Sequence, residues 1–425
     1  MKIAIVGTGI AGNVAAYRLH QEHDITVFEA GAHLGGHTHT HDIQVHGRSY
    51  PIDTGFIVFN DWTYPNFMQL LDELDVPSQV SSMSFSVRVE QRNLEYNGTS
   101  LNSLFAQRSN LLRPSFYRMI REILRFNRAA PALLEGHDDA LTLGAYLQAG
   151  RYSREFIEHY LLPMGAAIWS TDPGAMLTFP ARYLVRFFHN HGMLSVDQRP
   201  TWRVIRGGSR EYVKRLTAGF RHRVRLNTPV SAIRRLPSHV EIETADSPTQ
   251  SFDAVFIATH SDQALRLLAD PSPQEREVLG AIPYQENEVV LHTDTRLLPK
   301  RKLAWAAWNY HVAQQAQTRV AVTYNMNILQ GIDAPETFCV TLNRSADIDP
   351  AKIIKRLTYH HPLFTRAGVA AQQRQSEING AQRTFYCGAY WRYGFHEDGV
   401  VSALDALQHF KEWQTYAQLP LRRVG

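Results

Sequence analysis

The fold of this chain follows from one stretch near its start, Lys2-Ile3-Ala4-Ile5-Val6-Gly7-Thr8-Gly9-Ile10-Ala11-Gly12. It runs from an apolar strand into a GxGxxG loop, and residues 13–21 continue with a helical pattern. A second apolar strand, Ile25 to Phe28, then ends at Glu29. This order of strand, glycine loop, helix, strand and acid predicts a Rossmann-like unit that binds a dinucleotide.

The residue types of this loop match the needs of a pyrophosphate. Gly7 permits the tight turn, Gly9 lets the backbone approach the phosphates, and Gly12 lets the helix pack closely on the strand. Ile10 and Ala11 open the helix, whose free N–H groups and dipole favour an anion. The ribose hydroxyls are expected at Glu29, with Ala30 beside it.

A second glycine pair follows the acid, in Gly35-Gly36-His37-Thr38. It would lay another loop along the pyrophosphate, as the long FAD molecule requires. The stretch resembles the flavoproteins with two dinucleotide-binding motifs, the group that contains amine oxidases, phytoene desaturases and protoporphyrinogen oxidases. FAD is therefore favoured over NAD, held without a covalent bond, since Cys387 is expected to be a buried core residue.

The resemblance implies further contacts with FAD along the chain. Related proteins approach the isoalloxazine ring with a strand end that corresponds to residues 53–57, contact adenine through the backbone of a valine, and aim the last helix at the flavin. The implied cofactor-binding residues are Thr54, Gly55, Phe56, Ile57, Val230, Ala258, Thr259, Gly388, Phe395, His396, Glu397, Asp398, Gly399 and Val400.

The predicted fold class is α/β, a two-domain flavoprotein in which a Rossmann-like FAD-binding domain is interleaved with an α+β substrate domain. A chain of 425 residues is long enough for both. We expect residues 1–61, 199–274 and 371–425 to form the discontinuous FAD-binding domain. Residues 62–198, which are largely helical in pattern, and 275–370 are expected to form the substrate-binding domain. A hairpin is predicted over 84–97, with Asn97-Gly98 as its turn, and a final helix is predicted from Val400 to Ala417.

Composition excludes several classes of protein. The two cysteines, Cys339 and Cys387, have no metal-ligand spacing and indicate a reducing compartment. His37, His39 and His41 alternate along a predicted strand, and together with His46 they lack the acids or cysteines that complete a metal site, so no metal is expected. No signal peptide and no membrane-length apolar run is seen, which predicts a cytoplasmic protein.

The net charge of +4 is modest, but six arginines fall between Arg108 and Arg128 with Glu122 as the one acid. Their helical spacing is typical of the solvated face of a domain helix, which we prefer. Peripheral contact with an anionic membrane stays open as an alternative. Nucleic-acid binding is not expected, because no nucleic-acid motif accompanies the arginines.

A closer resemblance rests on five short stretches: 35–38 (GGHT), 53–58 (DTGFIV), 64–67 (YPNF), 83–86 (MSFS) and 394–399 (GFHEDG). Together they are similar to the bacterial predicted NAD/FAD-binding proteins associated with cyclopropane-fatty-acid synthases. The resemblance implies a fatty-acyl or lipid substrate. It also implies a fatty-acid methyltransferase or cyclopropane synthase as partner; the oligomeric state is left open.

The sequence departs from the amine-oxidase pattern where those enzymes carry a lysine facing flavin N5. The matching strand, 287–294, places Glu288 there, which makes Glu288 the candidate catalytic residue. Trp305, Trp308 and Tyr310 are candidates to line the substrate cavity, with core packing as the equal alternative.

These observations predict an FAD-dependent oxidoreductase that moves a hydride between an apolar, fatty-acyl or lipid substrate and flavin N5, of the desaturase or dehydrogenase type. Three alternatives remain: a flavin-dependent fatty-acid double-bond isomerase, an amine oxidase, and a non-catalytic FAD accessory protein of a lipid methyltransferase.

Overall fold

The structure is a computed structural model that describes residues 1–136, 138, 140–245, 247–313 and 319–418. Its strands are β1 (Lys2–Val6), β2 (Asp24–Phe28), β3 (Thr40–Val45), β4 (Arg48–Asp53), β5 (Val58–Asn60), β6 (Ser78–Val80), β7 (Phe85–Val89), β8 (Leu94–Asn97), β9 (Trp202–Ile205), β10 (Val224–Arg225), β11 (Val230–Arg235), β12 (Val240–Thr244), β13 (Ser247–Phe252), β14 (Ala254–Ile257), β15 (Tyr284–His292), β16 (Trp308–Val312), β17 (Val322–Asn325), β18 (Cys339–Leu342), β19 (Ile353–Pro362) and β20 (Thr384–Tyr386).

The α-helices lie between these strands and after the last of them. They are α1 (Ile10–Leu19), α2 (Pro65–Glu73), α3 (Leu101–Leu104), α4 (Pro114–Ala129), α5 (Leu143–Ala149), α6 (Arg154–Phe156), α7 (Leu162–Trp169), α8 (Pro173–Met176), α9 (Ala181–Asn190), α10 (Arg210–Thr217), α11 (Ser261–Leu267), α12 (Pro273–Gly280), α13 (Met326–Gln330), α14 (Arg366–Gln372), α15 (Gln375–Ile378) and α16 (His396–Gln418). Helices α3 to α9 follow in succession between β8 and β9. A π-helical segment, Ile157–Leu161, joins α6 to α7.

A five-stranded parallel sheet, in the order β10-β2-β1-β14-β20, forms the centre of the predicted FAD-binding domain. Its strands are buried on both faces, as the near-continuous apolar run of β1 predicts. Ile3 and Ile5 face the layer of α1, α2, α10 and α16, whereas Ala4 and Val6 face β11–β13 with α11 and α12. The carboxyl ends of all five strands meet at one edge, where a ligand of such a sheet binds.

The second large sheet has seven strands in the order β19-β15-β18-β17-β16-β7-β8. Only the β16–β7 pair is parallel. The helices between residues 101 and 190 pack on this sheet and share one apolar cluster with it. The predicted fold class, a two-domain α/β flavoprotein fold, is confirmed, while the exact domain boundaries stay a prediction.

A buried ion pair holds β11 and α12 together behind the parallel sheet. The Arg235 and Glu275 side chains are 0% and 2% exposed, and Nη2 of Arg235 donates to Oε2 of Glu275 over 3.0 Å. The hydroxyl of Tyr386, on β20, donates to the same carboxylate. The Arg235 guanidinium and these hydrogen bonds hold the pKa of Glu275 below its ordinary value despite burial. Breaking such a pair leaves an uncompensated buried charge.

Three local predictions were wrong. The hairpin of β7 and β8 exists, but its turn lies at residues 90–93, where Asn93 has a φ of 43°; Asn97 ends β8 instead. The final helix begins at His396, earlier than the predicted Val400, because Asp398 caps it by accepting from the N–H of Phe395. Of the three alternating histidines, only His41 lies in a strand.

No helix among the described residues is both long and apolar enough to cross a membrane.

Candidate active site

The loop between β1 and α1 has the close packing that its glycines predict. Gly7 has a φ of 102°, and a Cβ there would lie 2.9 Å from the carbonyl oxygen of Ala258, at the end of β14. A Cβ on Gly12 would collide with the carbonyl oxygen of Gly7. Gly9 differs, because a Cβ there would meet nothing within 4 Å. The open side of the loop therefore lies at Gly9, the N-cap of α1, which has no side-chain cap.

The second glycine pair lies against this open side. The N–H of Gly35 donates to the carbonyl of Thr8 over 3.0 Å. Gly36 has a φ of 58°, and its Cβ position is 3.0 Å from the Cα of Gly9. Any side chain at Gly36 would fill the space over Gly9. The loops 7–12 and 35–38 thus form two walls of one cradle.

Glu29 is fixed at the end of β2, beside this cradle. Its Oε1 accepts from the N–H of Gly31 over 2.7 Å, and its Oε2 from the N–H of Thr8 over 3.0 Å. The backbone of Glu29 also pairs with Arg225 and Thr228, which brings the chain leading to Val230 to the same edge. Ala30 is exposed. A carboxylate oxygen has further lone pairs, so Glu29 can still accept from ribose hydroxyls.

The strand end after β4 continues the cradle. The N–H of Phe56 donates to the carbonyl of His37 over 2.8 Å, and a Cβ on Gly55 would collide with that carbonyl oxygen. Thr54 accepts from or donates to the hydroxyl of Tyr359 over 2.9 Å, and Ile57 is buried. Residues 54–57 therefore lie directly on the second glycine loop.

The C-terminal segment closes the cradle at α16. A Cβ on Gly399 would lie 2.5 Å from Cγ2 of Ile10, so the first turns of α16 and α1 are in contact. The N–H of Gly388 donates to the hydroxyl of Ser402, and Val400 is buried in the apolar layer beneath. Two helix N-termini, each with free N–H donors, thereby converge on the same space.

His396, Glu397 and Asp398 have different partners. The Nε2 of His396 lies 3.0 Å from both Thr38 Oγ1 and Tyr212 Oη. Glu397 instead caps the neighbouring helix α2, accepting from the N–H groups of residues 66 and 67. Burial raises the pKa of Asp398 to about 7, the largest effect on this carboxyl.

Aspartate Asp53 ties three chain segments together beneath the cradle. Its carboxylate accepts from the N–H and the hydroxyl of Ser209, the latter over 2.8 Å, and from Nε2 of Gln330 over 3.0 Å. Burial raises the pKa of Asp53 to about 6. The sequence placed Asp53 at a strand end, but nothing in it indicated these partners.

A group of neutral histidines borders the cradle on the side of the seven-stranded sheet. His37 lies 5.5 Å from His361 and 6.0 Å from His260, ring centre to ring centre. Burial lowers the pKa of His37 to about 4 and those of His361 and His260 to about 3. Nε2 of His37 is buried without a hydrogen-bond partner in the described structure. This nitrogen can accept a hydrogen bond from a bound group or donate one to it.

These histidines do not form a metal site. Among the described residues, no group of three histidine, cysteine or acidic side chains could hold a metal ion.

Glu288 is not brought into this group. Its side chain is 40% exposed and pairs with Arg356 over 3.0 Å, and it also accepts from Ser345. The cross-strand partner of Glu288 is Thr358, whereas that of Asn287 is Tyr359. The face of β15 that meets the cradle therefore carries Asn287. The predicted residue, Glu288, is the next one along the strand and so lies on the opposite face.

The three candidate substrate-lining residues are separated as well. Trp305 precedes β16 and donates through Nε1 to the carbonyl of Pro299 over 2.8 Å. Trp308 and Tyr310 share one face of β16 and pack in the large apolar cluster, where Trp308 meets Tyr324 edge-on at 5.1 Å. Core packing accounts for Trp308 and Tyr310, whereas Trp305 is partly buried outside this cluster.

A cluster of aromatic side chains that the sequence did not indicate lies where the helical insertion meets the start of α16. Its contacts join Trp169 to Phe187 at 4.8 Å, Tyr183 to Tyr393 at 4.7 Å, and Phe187 to Phe395 at 5.3 Å. Two polar atoms are tied to backbone, since Trp169 Nε1 donates to Tyr393 and the Tyr183 hydroxyl to Arg392. The aromatic cluster comprises Trp169, Phe179, Tyr183, Phe187, Phe364, Tyr393 and Phe395.

The fold and the cradle define a dinucleotide-binding flavoprotein, and comparison gives the family. The chain matches the family of flavin-containing amine oxidoreductases over residues 10–325 and belongs to it. FAD is therefore its cofactor, and the cradle fits this molecule: the open side at Gly9, the two converging helix ends and the unpartnered His37 each leave room or a hydrogen bond for it.

Solved structures share the whole architecture. Cyclohexylamine oxidase from Brevibacterium oxydans IH-35A superposes with a TM-score of 0.72 at 16% identity, covering 97% of this chain and 99% of that chain. A CLA-producing fatty acid isomerase from P. acnes gives 0.69 at 17%, covering 96% and 98%. A putrescine oxidase gives 0.67 at 14%, covering 97% and 99%. At these identities the likeness shows the fold. Among curated proteins, no sequence matches this chain.

Proposed function

We propose that this FAD-dependent oxidoreductase dehydrogenates an apolar acyl chain of a fatty acid or lipid. The observation that carries the proposal is the aromatic cluster, which ends at Phe395, directly before the first turn of α16. Side chains of this kind surround methylene groups well. The substrate would thus lie between the helical insertion and the cofactor.

The chemistry that FAD supplies when bound is acceptance of a hydride at N5. The protein would hold FAD through Gly9, Glu29, Gly36 and the first turns of α1 and α16. The free N–H groups of these two turns stabilise negative charge in the cradle. Phe187 and Phe395 would orient the acyl chain and exclude water from it.

The sequence of β15 argues against an amine as substrate. Amine oxidases usually carry a lysine on the strand that corresponds to β15, and Tyr284–His292 contains none. Asn287 lies on the cradle face instead, where its Nδ2 is 3.0 Å from Nδ1 of His361. Burial keeps the nearby histidines neutral at pH 7.

An anaerobic substrate panel tests the proposal. The purified holoenzyme is mixed with oleic acid, dioleoyl phosphatidylglycerol, putrescine or cyclohexylamine, while flavin absorbance and product mass are followed. The expected result is bleaching by an acyl substrate and a product that lacks two hydrogens. A converted product of unchanged mass would indicate an isomerase, and bleaching by an amine an amine oxidase. Stable oxidised FAD with every substrate would indicate an accessory protein. Each of these overturns the proposal.

Paired variants at Phe395 localise the substrate. Phe395 is partly buried and belongs to the aromatic cluster. Phe395→Leu keeps an apolar side chain and should retain acyl oxidation. Phe395→Lys places a charge against Phe187 and should raise the KM for the acyl substrate at least about tenfold, because burying an unpaired charge is costly. Equal activity of both variants would place the substrate elsewhere.

A further inference from the structure

The surface around α3 and α4 exposes an unusual number of large apolar side chains. Leu101 is 77% exposed and Leu112 87%, and Leu111, Tyr117 and Leu124 are each nearly half exposed. Single exposed leucines are ordinary on a protein surface, but a group on one continuous segment marks an interaction site. We call this surface the α3–α4 ridge.

Hydrogen bonds and aromatic packing fix the shape of the ridge. Arg108 pins the short 3₁₀ segment Arg108–Leu112 to α3, donating from Nη2 to Oδ1 of Asn102 over 2.7 Å. The hydroxyl of Tyr117 donates to the carbonyl of Leu111 over 3.1 Å. Beneath them, Phe105 and Phe116 pack at 5.7 Å. The leucines are therefore presented to solvent by a fixed scaffold.

A second stretch of chain extends the ridge. The segment Lys302–Ala304 packs beside α3, and its Leu303 is 44% exposed. Lys300 and Lys302, on either side of Arg301, are exposed there too. A distant part of the sequence thus adds the same combination of apolar and basic side chains to this surface.

The exposed charges of the ridge are mostly basic, although Arg118 of α4 pairs with the partly buried Glu155 over 3.9 Å. Arg121, Leu124 and Arg128 follow Tyr117 at helical spacing on the exposed side of α4. Between residues 98 and 131 the one acid is Glu122, which is buried and accepts from the N–H of Ser153. Exposed apolar tips within a basic surface favour an anionic lipid bilayer: arginines meet the headgroups while leucines enter the acyl layer.

We propose that the α3–α4 ridge docks this protein on an anionic membrane surface. The other partners fit less well. Two copies of the ridge would bring arginines against arginines without exposed acids to pair with them, because a symmetric interface repeats the same patch. A nucleic acid would use the arginines but has no role for Leu111 and Leu112. The proposal does not depend on the proposed reaction.

Vesicle co-sedimentation of the holoenzyme tests the proposal. The vesicles are phosphatidylglycerol mixed with phosphatidylethanolamine, and phosphatidylcholine alone. The wild type should bind the anionic vesicles more tightly, and added salt should weaken that binding. Arg121→Gln/Arg128→Gln should weaken it about fivefold per arginine. Leu111→Ser/Leu112→Ser should weaken it as well, at unchanged charge. Arg221→Gln/Arg276→Gln, a matched pair of exposed arginines outside the ridge, should bind like the wild type.

Three outcomes would overturn the proposal. If the wild-type protein does not bind anionic vesicles more tightly than phosphatidylcholine vesicles, the membrane is excluded as the partner of the ridge. A leucine variant that binds like the wild type would show general attraction to polyanions, as for a nucleic acid. A dimer in sedimentation velocity that the leucine variant splits into monomers would assign the ridge to a second copy. Unchanged thermal melting and flavin content in every variant exclude misfolding as the cause.

Discussion

Gly9→Asp should separate the stability of the fold from its affinity for FAD. Gly9 has φ −63° and ψ 177°, a conformation open to any residue, and a Cβ there would meet nothing within 4 Å. An aspartate at this N-cap can accept from the first-turn N–H groups of α1 and interacts favourably with the helix dipole. We therefore expect the FAD-free chain to gain about 0.3–1 kcal/mol of stability.

The same carboxylate should displace the pyrophosphate. It takes the N–H donors that would bind phosphate oxygens and places a like charge in the space over Gly9, which the Gly36 loop borders. Hydrogen bonds to a charged group contribute about 1.5–3 kcal/mol each. The loss of two of them corresponds to FAD binding weakened at least about a hundredfold.

The assay is an FAD titration of the FAD-free protein, followed by flavin fluorescence, beside its thermal unfolding. Gly98→Asp is the matched control, because Gly98 also has open space around its Cβ position and lies outside the cradle. It should leave FAD affinity unchanged. The prediction fails if Gly9→Asp binds FAD as tightly as the wild type does. It also fails if the variant loses enough stability to account by itself for weaker FAD binding.

Three further predictions concern the rest of the molecule. Arg235→Met should cost about 3–5 kcal/mol in denaturant unfolding because it strands the buried Glu275 carboxylate; a cost below 1 kcal/mol would contradict it. Acidification from pH 7 to 4 should lower the free energy of unfolding by on the order of 2 kcal/mol for each of the buried imidazoles of His37 and His361. Their pKa values in the folded protein are about 4 and 3, so over this pH range the unfolded chain binds protons that the folded chain does not. His361→Asn should flatten that profile, and an unchanged slope would argue against it. Glu288→Gln should leave turnover unchanged within twofold, because its exposed ion pair contributes about 0–1 kcal/mol; a large loss of kcat would restore its catalytic role.

The cofactor region could be predicted from sequence because its determinants are local. Gly7, Gly9 and Gly12 lie within six consecutive residues, and each has a defined role in a dinucleotide-binding loop. The resemblance also implied that the last helix is aimed at the flavin, whereas its contact with Ile10, a residue distant in sequence, was not predicted. The resemblance placed residues 53–57 at the isoalloxazine ring, but it did not predict their direct contact with the second glycine loop.

The substrate side could not be predicted in this way. The aromatic cluster assembles residues from three distant segments, around 169–187, at 364 and at 393–395, and each looks like an ordinary apolar position in its own stretch. The predicted Glu288 lies one residue from the face of β15 that meets the cradle, because polar side chains on both faces of a strand do not show which face is turned inward. The pairing of Tyr359 with Thr54 likewise has no local signal.

The most direct test of acyl-chain dehydrogenation is a single anaerobic turnover of the holoenzyme with an acyl lipid, in which flavin reduction and product mass are measured in the same sample. We expect the amount of flavin reduced to equal the amount of product that lacks two hydrogens. Conversion of the lipid without net flavin reduction, or reduction by an amine alone, would contradict it.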